Sequence, residues 1–206
     1  MVITDIVRRG KSELYKIYIN NEYICLLEAE IIVKNKIKVG SIFKEEEFSD
    51  LRLKSEKLTC KNVALNYVSK CLKTKKQVID NLIQKGFMPE SINYAVEFLE
   101  SYGYINDKYF AENFVKSKQN IKGKMYLINA LKTKGVSQSI INDVLENFET
   151  NIDEVICLAK KYLKNKTIDN NTRHKLYRHL LGKGFEYSDI NKAINVVLKG
   201  ENNDWD

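Results

Sequence analysis

Arrangements of residues that could carry catalysis are hard to find in this chain. The two histidines, His174 and His179, are five positions apart, whereas a pair that binds one metal ion from a helix face is spaced four apart. Gly123-Lys124 lacks the upstream glycine and the following Ser or Thr of a phosphate-binding loop, and no G-x-S-x-G nucleophile elbow occurs. The sequence therefore predicts a protein that is not an enzyme and has no catalytic residues, no metal site and no cofactor.

Basic side chains are the residues whose pattern does indicate a chemical role. The net charge is +7, yet residues 1–50 carry 8 basic and 9 acidic side chains, so the basic excess lies further along. Three stretches, 70–85, 116–134 and 160–183, are rich in basic residues and nearly free of acids. Such clusters attract a polyanion or an acidic protein groove. The predicted partner-binding residues are Lys70, Lys73, Lys75, Lys76, Lys116, Lys118, Lys122, Lys124, Lys132, Lys134, Lys160, Lys161, Lys164, Arg173, Lys175 and Arg178.

A purely structural role would account for some of these features. Lys85, Lys134 and Lys183 fall at predicted helix ends, where a positive side chain interacts favourably with the helix dipole and needs no ligand. Several tyrosines lie near basic residues in the sequence and could stack on nucleic-acid bases. At helical spacing beside apolar residues, however, a place at the edge of a core is the commoner role. These tyrosines are Tyr67, Tyr126, Tyr162 and Tyr177.

The elements that must position these side chains repeat along the chain. Lys-Gly recurs at Lys85-Gly86, Lys134-Gly135 and Lys183-Gly184, a spacing of 49 residues both times. At these three places Leu stands three residues before the Lys, and Phe or Val follows the Gly. A fixed period of this size indicates copies of one supersecondary unit. The repeat glycines are expected just after a helix in the left-handed conformation, which glycine adopts without steric cost. They are Gly86, Gly135 and Gly184.

Each copy is predicted to contain three helices. The second helix of a copy runs into the repeat glycine and has an apolar stripe, which includes Ile83 in the first copy and Leu181 in the third. A first helix precedes it, around Val63 to Leu72, Phe110 to Lys118 and Val155 to Leu163.

The third helix of each copy starts within three residues of the glycine. Pro89 suits a first helical position in copy one, and Ser137 suits a helix cap in copy two. The apolar positions of the three helices follow the spacing i, i+4, i+7 and end at Leu99, Phe148 and Val197. The basic stretches described above fall along the second helix of each copy, whereas the third helices are acidic or neutral. Each copy is therefore expected to have a basic side and an acidic or neutral side.

Residues 1–50 have a different pattern. Leu14 to Ile19 and Tyr23 to Leu27 flank Asn20-Asn21-Glu22, which predicts a β-hairpin, and Val2 to Val7 is a third candidate strand. Residues 31–39 fit either a strand or a short helix. The strongly charged residues 41–58 suit either a linker or a surface helix that leads into the first repeat.

The predicted fold class is mainly α: an elongated array of three tandem three-helix repeats behind a small N-terminal β-containing module. The segments are a hairpin module at 1–50, a linker at 51–59, repeats at 60–106, 107–151 and 152–199, and a polar tail at 200–206. An elongated array offers a long binding surface rather than one enclosed pocket.

The cysteines and the hydropathy indicate a cellular compartment. Cys25, Cys60, Cys71 and Cys157 include no C-x-x-C pair, and no secretory apolar segment precedes them. No apolar run approaches the length of a membrane span. We therefore expect reduced thiols, a cytoplasmic location and no association with a membrane.

One segment between the first two copies identifies a family. The residues Gly103-Tyr104-Ile105-Asn106-Asp107-Lys108-Tyr109-Phe110-Ala111 resemble the signature of RecX, a family of bacterial regulators of the recombinase RecA. The similarity extends through Leu82 to Phe87 and through Lys122 to Val136. The N-terminal strands, with Tyr18 to Tyr23, resemble those of the longer RecX proteins of low-GC Gram-positive bacteria.

The resemblance implies a function. It implies that three tandem three-helix repeats bind along the helical groove of a RecA–DNA filament and contact neighbouring protomers. They would thereby restrain ATP hydrolysis and strand exchange or favour disassembly of the filament, with inhibition as the expected direction. It implies a monomer whose partner is the RecA filament, and leaves room for direct contact with DNA. The chain departs from the family's arginine-rich pattern at Lys70-Cys71-Leu72-Lys73, where lysine cannot reproduce a bidentate arginine contact. The alternative function is direct binding of single- or double-stranded nucleic acid through the basic stripe, which would weaken steeply with salt.

Overall fold

Helices dominate the computed structural model of the chain, which describes residues 1–167 and 169–200, apart from the side chains of 199 and 200. In these residues three strands are followed by ten helices, which confirms the mainly α prediction. The chain divides into two compact units, Met1–Asn106 and Asp107–Asp206. From residue 201 onward the predicted polar tail lies outside the described residues.

The first unit begins with a small antiparallel sheet. Strands β1 (Ile3–Arg8), β2 (Leu14–Ile19) and β3 (Glu22–Glu28) lie in the order β1-β2-β3. Asn20 and Asn21 between β2 and β3 have φ angles of 52° and 68°, as a tight two-residue hairpin turn requires. The predicted hairpin and third strand are therefore confirmed.

Two helices connect the sheet to the first repeat. Helix α1 (Ala29–Lys34) settles the open choice at residues 31–39 in favour of a short helix. Helix α2 (Glu45–Val68) is continuous, so residues 51–59 belong to a helix rather than a linker. The N-terminal half of α2 packs Phe48 and Leu51 against the sheet, while Cys60 and Ala64 in its other half belong to the core of the first repeat.

A buried polar contact fixes α2 to the sheet. The Ser55 hydroxyl, only 1% exposed, accepts a hydrogen bond of 2.7 Å from the backbone N–H of Glu28 at the end of β3. The Thr59 hydroxyl donates to the Glu28 carboxylate over 3.1 Å. Because an unpaired buried N–H is costly, the Ser55 contact helps to hold α2 in its place on the sheet.

The first repeat is completed by α3 (Lys75–Gln84) and α4 (Pro89–Ser101). Thr74 and Gln77 form the capping box that their spacing indicates, and Pro89 occupies the first turn of α4. The first helix ends at Val68, earlier than the expected Leu72, which is 47% exposed.

The second unit contains two further three-helix repeats. The first has α5 (Asp107–Lys118), α6 (Lys124–Thr133) and α7 (Gln138–Val144), and the second has α8 (Ile152–Leu163), α9 (Asn170–Gly182) and α10 (Tyr187–Gly200). Each has its own apolar core. Ser137 caps α7 as predicted, but α7 ends at Val144, so Phe148 packs against the core from beyond the helix.

The second helix of every repeat ends in the same way. Gly86, Gly135 and Gly184 have φ angles of 81°, 85° and 85°, which is the left-handed conformation expected from the sequence. In the first repeat the N–H of Gly86 donates to Ile83, and the N–H of Phe87 donates to Leu82. This pair of bonds is the Schellman motif, and the other two glycines make the equivalent bonds.

The apolar stripe of these second helices is narrower than the sequence indicates. Val78 and Leu82 are fully buried in the first repeat, as is Leu180 in the third, but Ile83 is 59% exposed and Leu181 is 50% exposed. Adjacent helical residues point about 100° apart. Because only one narrow side of these helices faces the core, the prediction that Ile83 and Leu181 belong to the buried stripe was wrong.

Candidate binding surface

The predicted binding lysines of the first repeat are largely engaged within the protein. The Lys75 ammonium lies 2.9 Å from the Glu100 carboxylate, and that of Lys76 lies 2.7 Å from Asp80. The pair between Lys75 and Glu100 joins the start of α3 to the end of α4, so the basic and acidic sides expected for this repeat meet here. Lys70 lies just past the end of α2 and is exposed.

Lys73 also has partners within the first repeat. Its ammonium lies 4.7 Å from the centre of the Tyr67 ring. A hydrogen bond with Cys71 is the main cause of the raised pKa of Lys73, so Lys73 keeps its positive charge at neutral pH. Tyr67 itself is partly buried against the core, which is the core-edge position weighed for this tyrosine.

The candidate residues of the second repeat lie mainly at helix ends. Their exposure differs: Lys116 and Lys132 are exposed, while Lys134 is half-buried, with its ammonium 5.6 Å from the centre of the Phe114 ring. All six residues lie in, or next to, the last turn of α5 or the first or last turn of α6. They are Lys116, Lys118, Lys122, Lys124, Lys132 and Lys134.

The candidate residues of the third repeat lie on two helices and are exposed. One group ends α8 and the other lies along α9, in a stretch whose only described acid is the helix cap Asp169. The two groups are Lys160, Lys161 and Lys164, then Arg173, Lys175 and Arg178.

Backbone contacts join the second and third repeats. The N–H of Gly123 donates to the carbonyl of Lys183 over 3.0 Å, and the N–H of Met125 donates to that of Gly184 over 3.2 Å. A side chain at Gly123 would collide with the backbone of Gly184, and one at Gly184 would collide with Tyr126. Glycine at both positions therefore allows the start of α6 to meet the turn that ends α9.

This contact assembles a group of cations and rings from both repeats. The Lys122 ammonium lies 4.0 Å from the centre of the Tyr126 ring, and that of Lys166 lies 3.4 Å from the centre of the Tyr162 ring. The centre of the Tyr162 ring is in turn 4.7 Å from that of His179. We call this group the basic junction; its members are Lys122, Tyr126, Tyr162, Lys166, His179 and Lys183.

The charges of the basic junction act on its histidine. Desolvation by neighbouring groups lowers the pKa of the exposed His179 side chain below its usual range, and the positive charges of Lys183, Lys166 and Lys122 lower it further. His179 is therefore mostly neutral near pH 7, and the three ammonium groups have no ion pair among the described residues. A surface with these properties attracts anions such as phosphates or carboxylates.

The basic junction contains residues that the sequence did not single out as a site. Lys122 was a candidate, but Lys166, His179 and Lys183 were not. Their grouping depends on the approach of Gly123 to Gly184, which the repeat period does not reveal.

The described residues contain no group of three or more His, Cys, Asp or Glu able to hold a metal ion. Among these residues no helix is both long and apolar enough to cross a membrane.

The repeats match known family models. The model of the first three-helix domain of RecX matches residues 60–99, that of the second matches residues 106–145, and that of the third matches residues 157–194. The regulatory protein RecX of Clostridium perfringens strain 13 is 35% identical over 201 residues, with 95% of both chains covered. That of Clostridium beijerinckii is 31% identical and covers 97% of this chain and 96% of its own.

Solved structures share the fold. A crystal structure of regulatory protein RecX superposes with a TM-score of 0.68 at 20% identity, covering 94% of this chain and 98% of that one. The crystal structure of RecX from Lactobacillus salivarius gives a TM-score of 0.61 at 29% identity, covering 69% and 96%. Because the three domain models together match more than half of the chain and relatives align along nearly all of it, the chain belongs to the RecX family of regulatory proteins.

Proposed function

We propose that this chain binds along the groove of a RecA–DNA filament and inhibits its ATP hydrolysis and strand exchange, without being an enzyme itself. Its family membership supports a regulatory role. The observation that carries the proposal is the basic junction, where Lys122, Lys166 and Lys183 concentrate positive charge that no described acid neutralises. A groove lined by acidic protein side chains or DNA phosphates would supply the missing negative charge.

Two repeats contribute to this charged group, and this bears on how the chain would act on a filament. Lys122 belongs to the second repeat, whereas Lys166 and Lys183 belong to the third. A partner bound there contacts both repeats at once. We expect each bound molecule to reach more than one RecA protomer and to act below one molecule per protomer.

The direct test is the DNA-dependent ATPase of the cognate RecA, measured while the protein is titrated into preformed filaments. We expect ATP hydrolysis to fall, with half of the effect reached below one molecule per RecA subunit. The protein alone should hydrolyse no ATP. An unchanged rate at a saturating excess of folded protein would contradict the proposal.

Matched variants test whether the basic junction makes the contact. Lys122→Gln with Lys166→Gln removes two charges that have no ion-pair partner in the described part of the chain, and inhibition should need a severalfold higher protein concentration. Lys75→Gln with Lys76→Gln removes the same charge, but Glu100 and Asp80 already neutralise it. This control pair should inhibit nearly as well as the parent protein. The opposite order would assign the filament contact to the first repeat.

The same unneutralised lysines favour a second candidate function, direct binding to nucleic acid. The two functions differ in their dependence on salt and on the recombinase. A direct binder loses affinity for naked DNA steeply as salt rises, because phosphate contacts release counterions. A filament binder instead prefers DNA already coated with RecA and nucleotide, so binding to naked and coated strands at two salt concentrations separates them.

A further inference from the structure

The first unit has an exposed aromatic surface that is separate from the basic junction. Helix α4 and the turn after it expose Tyr94, Tyr102 and Tyr104 to 42%, 68% and 52%. The ring of Phe98 contacts two of these tyrosines, with its centre 4.6 Å from that of Tyr102 and 6.4 Å from that of Tyr104. Residues four apart share one face of a helix. We call Tyr94, Phe98, Tyr102 and Tyr104 the aromatic row.

Lysines of the neighbouring helix α2 flank the aromatic row. The Lys61 ammonium lies 5.1 Å from the centre of the Phe98 ring, and that of Lys57 lies 6.0 Å from the centre of the Tyr94 ring. Lys54, one turn earlier on α2, and Lys34 at the end of α1 are exposed. Neither of these two has an ion pair among the described residues.

The four lysines and Tyr94, the first residue of the row, line an open cavity of about 330 Å³ between α1, α2 and α4. Its lining includes the apolar Ile31 and Leu58, the ring of Tyr94 and the four lysines. Two acids are also near: Glu30 lines the cavity, and Glu90 pairs with Lys57 at 2.6 Å. The charge that remains at this surface is positive.

We infer that this surface binds single-stranded nucleic acid, with bases stacked on the aromatic row and phosphates against the lysines. Exposed rings beside a positively charged groove are what sequence-tolerant single-strand binding uses. In a duplex the faces of the bases are covered by their neighbours, so a duplex could use only the lysines. An acidic peptide would likewise leave the exposed rings of Tyr102 and Tyr104 without a partner. The inference does not rest on the proposed filament function.

The test measures the fluorescence anisotropy of a labelled oligothymidylate of about 12 nucleotides, a length within the range of single-strand sites. Tyr102→Ala with Tyr104→Ala should weaken binding by the full chain by about tenfold or more, because each lost stacking contact weakens binding severalfold. Tyr23→Ala with Tyr187→Ala removes two exposed tyrosines outside the row, 54% and 69% exposed, and should bind like the parent protein. Equal binding by the row variant and the parent would overturn the inference.

A second variant pair tests the phosphate contacts without touching the rings. Lys34→Gln with Lys54→Gln should weaken binding and reduce its salt dependence, while Lys11→Gln with Lys16→Gln, exposed lysines of the same unit, should do less. Unlabelled single strand should compete better than duplex or polyglutamate. Equal competition by duplex or polyglutamate would overturn the single-strand assignment, and in the second case would favour an acidic protein partner.

Crosslinking locates the bound bases directly. An oligonucleotide with 5-iodouracil, irradiated in complex with the full chain, should attach within residues 94–104. Attachment only in the second unit would overturn the inference. The RecA ATPase assay on the tyrosine variants keeps the two hypotheses separate. If these variants lose oligonucleotide binding but still inhibit the ATPase, the result supports this surface. If neither the parent protein nor the variants inhibit the ATPase while the parent still binds the oligonucleotide, only the filament proposal is contradicted.

Discussion

His179 is the residue through which the basic junction responds to pH. Desolvation by neighbouring groups and three nearby lysines lower its pKa in the folded protein, whereas in the unfolded chain the pKa of His is about 6.5. As the pH falls through this value, the unfolded chain takes up the proton first. Folding stability therefore declines as the pH falls from about 6.5 toward the lower pKa of the folded state, and is unaffected by this group above that range.

Replacement of this histidine should flatten that dependence. We expect the free energy of unfolding of His179→Asn, measured by chemical denaturation between about pH 5 and pH 7, to fall less steeply with decreasing pH than that of the parent protein. Parallel curves for His179→Asn and the parent would contradict the role assigned to its environment.

At the residue scale, local features such as helix caps could be predicted from the sequence, whereas groups of residues that come together only in the fold could not. The role of Ser137 could be predicted because a helix cap depends on neighbours within three residues. The grouping of Lys166 with His179 and Lys122 could not, because it depends on two glycines far apart in the chain that let their backbones touch.

At the scale of elements, the helix ends offer a graded test of glycine. Gly86 has a positive φ but open space around it, so Gly86→Ala should cost about 1 kcal/mol from backbone strain alone. Gly184→Ala adds a collision with Tyr126 and should cost clearly more. Gly182 has open space and is the last residue of α9, so Gly182→Ala should be neutral or stabilise by about 0.5–1 kcal/mol.

Chemical denaturation of the three variants checks this order. Gly182→Ala is the internal control, because it makes the same substitution two residues from Gly184 without strain or collision. Equal stability for Gly184→Ala and Gly182→Ala would show that neither the cap nor the contact between repeats constrains that position.

Helix α2 shows why one element could not be decided from the sequence. Its N-terminal half buries Phe48 and Leu51 against the sheet, and its C-terminal half buries Cys60 and Ala64 in the first repeat. The two halves have different packing partners, so the apolar residues do not follow a single stripe. Amphipathic periodicity identifies helices that bury one face. Because α2 has no single apolar face, its sequence fits both a linker and a helix.

At the scale of the whole molecule, the C-terminal repeat should be needed for full activity. Deleting residues 152–206 removes Lys166, His179 and Lys183 from the basic junction and takes away the carbonyls that accept from Gly123 and Met125. We expect the truncated protein to inhibit the RecA ATPase more weakly at every concentration. Circular dichroism should show that the remaining helices are retained, and full inhibition by the folded truncated protein would rule out a role for this repeat.

The second helix of the second repeat begins differently from the second helices of the other two repeats, and this has a consequence for the folding of the chain during synthesis. Thr74 and Asp169 cap α3 and α9 with their own side chains, whereas Gly123 has no side chain with which to cap α6. Lys183 and Gly184 supply the acceptors there instead. Because a chain leaves the ribosome N-terminus first and domains fold as they emerge, α6 gains these two bonds only after the turn at Gly184 has been made. The nascent second repeat is therefore incomplete until the third repeat has been translated at least as far as Gly184.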